Sequence, residues 1–204
     1  MDNRFQNNGG NLINISVNET DCPIQEPCPF LKTWYSHKIN KAALKYEIAI
    51  NIMTGKMCWI SGPYPGSRHD LTIFRNGLAH FLDEDEQVHA DRGYKGDDRI
   101  STPLNQTLEE KMQSKVIRAR HETCNSRIKN FYSLSTKFRH PLEKHGQVFR
   151  AVAVVCQLAF ERGEPLFHVN YRELLQIESY LTSQSLNYIF QVVRNNIDLI
   201  PGSG

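Results

Sequence analysis

Apolar and polar positions alternate over Leu12–Val17, with Ile13, Ile15 and Val17 on one face and Asn14, Ser16 and Asn18 on the other. That alternation predicts a strand. A second alternation runs over Lys45–Met53, where Tyr46, Ile48, Ile50 and Ile52 share a side. Thr54-Gly55-Lys56 predicts a turn into a third strand, Met57–Ser61, and so a hairpin. Gly62-Pro63-Tyr64-Pro65-Gly66 is expected to break the chain, and Ser67 to cap a helix carrying Leu71, Phe74, Leu78, Phe81 and Leu82. Gln87–Ala90 reads as a short strand ending at Asp91, Leu108–Leu134 as one long helix, and Gln147–Glu161 as a second, apolar one. Three strands, then helix, strand, helix, helix is the order of an α/β domain with a mixed sheet flanked by helices. Residues 1–11 read as a disordered tail, 12–171 as the domain and 172–204 as a C-terminal helical extension.

A helical turn of 100° per residue gathers Ile117, Cys124, Ile128 and Phe131 of the long helix into a stripe expected to be buried. Glu122 then falls on the polar side with Lys115, Arg118, Ser126 and Lys129. Trp34 and Trp59 read as core rather than as stacking platforms.

Charge changes this picture. Lys and Arg number 24 against 22 Asp and Glu, a net of +2 that does not suggest a polyanion partner. Along the chain, however, residues 109–150 hold ten basic and four acidic side chains, and both flanking segments are mildly acidic. One strongly basic segment, centred on the helix that carries Glu122, suggests a polyanion-facing surface. Five cysteines at irregular spacings point to reduced thiols inside a cell rather than to a disulfide framework or a structural zinc. No apolar run approaches the roughly 18–20 residues of a membrane span, so no membrane partner is expected.

Candidate chemistry lies at element ends. Asn18 is expected to close the first strand and Asp91 the fourth, with Glu122 on the following helix. If those strands are neighbours and the helix crosses them, the three converge. Acidic groups crowded there repel one another unless divalent cations neutralise them. Hard oxygen ligands favour Mg²⁺ or Mn²⁺, ions that can drive phosphodiester cleavage.

Several stretches carry a resemblance. They are Ser16–Ile24, Trp34-Tyr35-Ser36-His37-Lys38, Gly62–Asp70, Ala90-Asp91-Arg92-Gly93-Tyr94, and Arg118-Ala119-Arg120-His121-Glu122 leading into Arg127-Ile128-Lys129-Asn130-Phe131. In this order the chain resembles the DDE superfamily endonuclease domain of PIF/Harbinger-like transposases, related to bacterial IS5-type transposases. The resemblance implies a ribonuclease H-like fold and a metal-dependent nuclease that cleaves and inserts DNA. It maps two acidic metal ligands to Asp91 and Glu122. The first aspartate, in an Asp-Gly-Thr motif, falls at Asn18-Glu19-Thr20, so Asn18 is the compromised third catalytic and metal position. Glu19 and Asp21 point away from Asn18 by strand parity, and only a bulge would bring Glu19 round. Asp70 reads as a helix-turn or supporting residue.

On this reading DNA, as transposon ends and target, is the partner. Arg118, Arg120, Arg127, Lys129 and Lys38 are expected to contact phosphates. With the first strand near residue 12, no N-terminal helix-turn-helix is expected, and the family implies a separately encoded Myb-like DNA-binding partner and a nuclear location. Two readings stay open: an endonuclease impaired at Asn18, or an inactive remnant that binds DNA or protein.

Overall fold

The computed structural model describes residues 13–83, 86–101 and 108–167. The expected tail over 1–11 and the expected helical extension over 172–204 lie outside the described residues. Six strands form one mixed sheet: β1 (Ile13–Pro23), β2 (Tyr35–Ser36), β3 (Lys41–Asn51), β4 (Met57–Pro65), β5 (Gln87–His89) and β6 (Ile100–Ser101). Their order is β2-β3-β1-β5-β6, with β4 also on β3. β3 runs antiparallel to β1, β2 and β4, while β5 is parallel to β1 and β6 to β5. Among the described residues the α-helices are α1 (Asp70–Asn76), α2 (Leu108–Lys129), α3 (Tyr132–Ser135) and α4 (His145–Glu161). This is the α/β, ribonuclease H-like arrangement expected from the sequence. Among the described residues no helix is long and apolar enough to cross a membrane.

Period two in the central strands separates two cores. Leu44, Tyr46, Ile48 and Ile50 of β3 face Cys124 and Ile128 of α2 and Phe149 and Val152 of α4. Ile15 and Val17 of β1 and Ala49 of β3 face the other way, toward Phe74, Leu78, Val88 and Tyr94. Tyr46 is the anchor of the first core. Its ring lies flat on Phe149, with centroids 3.7 Å apart, and its hydroxyl shares a 2.7 Å hydrogen bond with Nδ1 of His145. Burial lowers His145 to about 4, which keeps that ring neutral.

The structure departs from the sequence reading at several elements. β1 does not end near Val17 but continues to Pro23, because Asn18–Pro23 are all paired with β3. β4 continues through the prolines to Pro65 along the edge of β3, where prolines are tolerated. Gly62 there has φ +125°, and a Cβ on it would stand 2.7 Å from the Tyr46 ring. The helix expected from Ser67 starts instead behind His69 and stops at Gly77, after which Leu78–Phe81 forms a 3₁₀ turn. Phe81 is therefore exposed, with its ring against Trp59. α2 ends at Lys129 rather than Leu134, and Phe131 leaves the buried stripe. Trp34 and Trp59 are half-buried against the edges of the cores.

Replacing Phe149 by Ala removes the ring that holds Tyr46 and is expected to cost about 3–5 kcal/mol of unfolding free energy. Urea denaturation measures it, and a loss under about 1 kcal/mol would show that α4 does not anchor the sheet here.

Candidate functional site

The site is assembled by strand register. β5 pairs with β1 in parallel, Val88 opposite Ile15 and His89 opposite Ser16. Extending that register by two residues sets Asp91 beside Asn18, on the face shared by Ser16 and His89. α2 crosses this face. His121 Nδ1 lies 3.0 Å from Ser16 Oγ, and Asn18 Nδ2 donates to Glu122 Oε1 at 3.2 Å. Asn18, Asp91 and Glu122 thus line one cleft with Ser16, His89, Arg118 and His121. Its volume is about 20 Å³, room for a single water. A larger ligand must sit on its rim.

Each polar group in the cleft has a local cause. Asp91 Oδ1 accepts the Gly93 N–H at 2.8 Å, so the aspartate caps the 3₁₀ turn Arg92–Tyr94. A Cβ on Gly93 would stand 2.6 Å from Asp70 Oδ2 and 3.0 Å from Asp91 Oδ1. Glycine is what lets the two carboxylates approach that turn. The Asn18 amide is used at both ends: Oδ1 accepts the Glu19 N–H at 2.9 Å while Nδ2 holds Glu122.

The sequence reading assigned nothing to His89 and His121, which are 3% and 1% exposed. Burial lowers them to about 4 and about 3, so both rings are neutral, and among the described residues neither Nε2 has a hydrogen-bond partner. The positions adjacent to Glu122 and two before Asp91 were the only local signal for them.

The donor set does not fit a two-ion centre built on three carboxylates. Asp91 and Glu122 supply two, and the third position offers an amide whose oxygen is already engaged and whose N–H faces Glu122. Among the described residues no group of three or more His, Cys, Asp or Glu has metal-binding geometry. Glu19 does not substitute, because the β1–β3 register runs unbroken from Ile15 to Pro23 with no bulge.

Glu19 instead joins Asp21, Lys45, Glu47, Asp70 and Tyr94 on the opposite face. Lys45 Nζ binds Asp70 Oδ1 at 2.6 Å and the Arg68 carbonyl at 2.9 Å. Glu47 Oε1 accepts from Trp59 Nε1 at 3.0 Å, and its Oε2 is buried beside Tyr94. Burial, with Asp70 adding to it, pushes Glu19 up to about 9, and burial raises Glu47 to about 7.

The five expected phosphate contacts divide. Arg118 is exposed on the rim of the cleft, and Lys38 is exposed with Nζ on the Glu19 carbonyl at 3.2 Å. Lys129 is half-buried, close enough to Asp21 to oppose the rise that burial imposes there. Arg120 is a correction: it is 3% exposed, its guanidinium donates to the Ile52 carbonyl, and the Gly55 turn packs on it. Arg127 is half-buried and its guanidinium is already engaged. It donates to the carbonyls of Glu164 and Pro165, and its guanidinium lies 5.3 Å from the centre of the Phe160 ring.

A family model described as DDE superfamily endonuclease matches residues 18–158, more than half of the chain. The chain is also 28% identical over 149 residues to a protein of Microchaete diplosiphon described as a probable transposase for insertion sequence element IS702. That alignment covers 67% of this chain and 52% of the relative, so the chain spans about half of the relative's length.

The buried carboxyl of Glu47 gives a pH prediction. Its folded value lies above its ordinary 4.5, so the neutral acid is favoured by folding. That stability is complete below 4.5 and lost as pH rises through about 7. Glu47→Gln cannot ionise and keeps an oxygen for Trp59. The Tm advantage of the variant over the parent is expected to be absent at pH 4.5 and to reach its plateau above pH 7. An advantage independent of pH would show that folding does not shift the Glu47 carboxyl from its ordinary value.

Proposed function

The chain belongs to the DDE superfamily endonucleases, and from that premise we propose that it is a transposase-derived domain that engages DNA but is impaired in cleaving it. The observation that carries this reading is the 3.2 Å hydrogen bond from Asn18 Nδ2 to Glu122 Oε1. DDE endonucleases work with divalent metals. An aspartate at residue 18 would bring a third negative charge and free oxygen lone pairs, and only a cation would let it lie against Glu122. Asparagine removes that charge and occupies a glutamate oxygen with an N–H, so the cleft closes on itself without an ion.

Arg118 on the rim of the cleft, with Lys38 at the Glu19 carbonyl and Lys129 near Asp21, are the cations proposed to hold phosphates, contacts that set position without reading sequence. Sequence selection, a Myb-like partner and a nuclear location belong to the same reading and rest on the resemblance to PIF/Harbinger-like transposases. The second reading, a binding module with no residual catalysis, is favoured by the same hydrogen bond if Asp91 and Glu122 alone hold no metal.

Asn18→Asp separates the two. The variant is expected to show an Mn²⁺-dependent rise in Tm that the parent lacks, and to nick plasmid DNA faster by about tenfold or more. Nicking by the parent at the rate of the variant, abolished by Asp91→Asn, would overturn the impairment. A variant that takes up Mn²⁺ without nicking selects the binding-module reading.

A further inference from the structure

We propose that a cationic pocket formed by residues 132–140, beyond the end of α2, accepts an unpaired nucleotide of a DNA strand, with its phosphate on Lys137 and Arg139 and its base on Tyr132. The inference rests on the reading of the chain as a DNA-engaging domain, but it concerns a separate site.

The pocket has a volume of about 360 Å³ and is lined by Tyr132, Ser133, Thr136, Lys137, Arg139 and His140. That volume is at the small end of ligand pockets, roughly 300–1,000 Å³, and suits a nucleotide rather than a duplex. Among the described residues no carboxylate lines it. Neither Lys137 nor Arg139 forms an ion pair among the described residues, so both cations are available to an anion. The Tyr132 ring is 81% exposed. An aromatic face beside cations is the pairing that binds single strands, because every base can stack and every nucleotide carries a phosphate.

The walls are held in place. Thr136 Oγ1 donates to the Tyr132 carbonyl at 2.6 Å and Ser135 Oγ to the Phe131 carbonyl at 3.3 Å, which fixes the single turn of α3. Phe138 is 5% exposed, with its ring 4.6 Å from His145. Its backbone pairs beyond β1, N–H to the Pro23 carbonyl and carbonyl to the Gln25 N–H, at 3.0 and 2.8 Å. With Phe138 pinned inward, its extended neighbours Lys137 and Arg139 are both exposed. A preorganised site of this kind loses little side-chain entropy on binding.

Position supports the same occupant. Phe138 bridges Ile24, six residues along the chain from Asn18, about 20 Å at strand rise. That is the length of roughly six base pairs, so a strand lying across the catalytic cleft can reach the pocket. The larger cavity on the other side of Ser135–Lys137, about 510 Å³, has Lys41 and Lys137 in its lining, but also Glu26, Ile24 and Phe30. Its carboxylate and apolar wall make it a poorer anion site.

The test is fluorescence anisotropy of the full chain with labelled single-stranded and duplex DNA over a salt series, comparing Lys137→Ala/Arg139→Ala, Tyr132→Ala and Arg118→Ala, each checked by its melting curve. The double variant is expected to weaken single-strand binding and to lower the slope of log K against log salt by about 0.7, the share of one phosphate. Tyr132→Ala is expected to weaken single-strand binding at least about fivefold while duplex affinity stays within about twofold. If the pocket variants bind as the parent does and only Arg118→Ala loses affinity, the pocket proposal is overturned and the DNA-engaging reading stands. If the double variant weakens both DNA forms equally and Tyr132→Ala neither, the nucleotide pocket is overturned. Absence of DNA binding by the parent overturns both.

Discussion

The pairing of β1 on both sides is the constraint on which the site depends. From Ile15 to Pro23 each residue is matched to β3, and Ile15 and Ser16 are matched to β5 as well. Backbone groups buried this deeply must be bonded, and a slip of one residue would exchange the two faces of the strand. With register set, Ser16 and Asn18 can only face α2, and Glu19 and Asp21 can only face away. The identity of every group in the cleft follows from that alternation.

The electrostatics of the domain follow as well. On one face, Asn18 is neutral and is satisfied by accepting the Glu19 N–H and donating to Glu122. On the other face, Lys45 is bonded to Asp70 and also feels the carboxyls of Asp21 and Glu19, and desolvation keeps Glu19 protonated at neutral pH. The Asn18-Glu19 pair thus sets a neutral amide in the cleft and a neutral carboxyl in the interior. Removing negative charge from the cleft lets it close without an ion, and burial of Glu19 as a neutral acid spares the interior an unpaired charge.

The basic segment around α2 serves two purposes that a linear count merges. Arg120 and Arg127 spend their guanidinium groups on backbone carbonyls, tying the β3–β4 turn and the chain after α4 to the helix. Arg118, Lys137 and Arg139 stay exposed. Long basic stems can pack as apolar surface or project into solvent, and composition is the same in both cases.

The hydrophobic pattern by itself determined the hairpin of β3 and β4, the face of β3 that meets the helices, the apolar α4 and the placement of Glu122 on the solvent side of α2. Those elements each have one dry and one wet side, so their periodicity is written locally. Tertiary structure alone decided that Asn18–Asp21 is strand, that Arg120, His89 and His121 are buried, and that Gly77 divides the segment after α1. The polar run Asn18-Glu19-Thr20-Asp21 has no strand signature of its own. It is extended because partners on neighbouring strands satisfy its backbone, and its carboxyls are buried because α1, Lys45 and Tyr94 close over them. Such burial depends on residues distant in the chain, which no local period records.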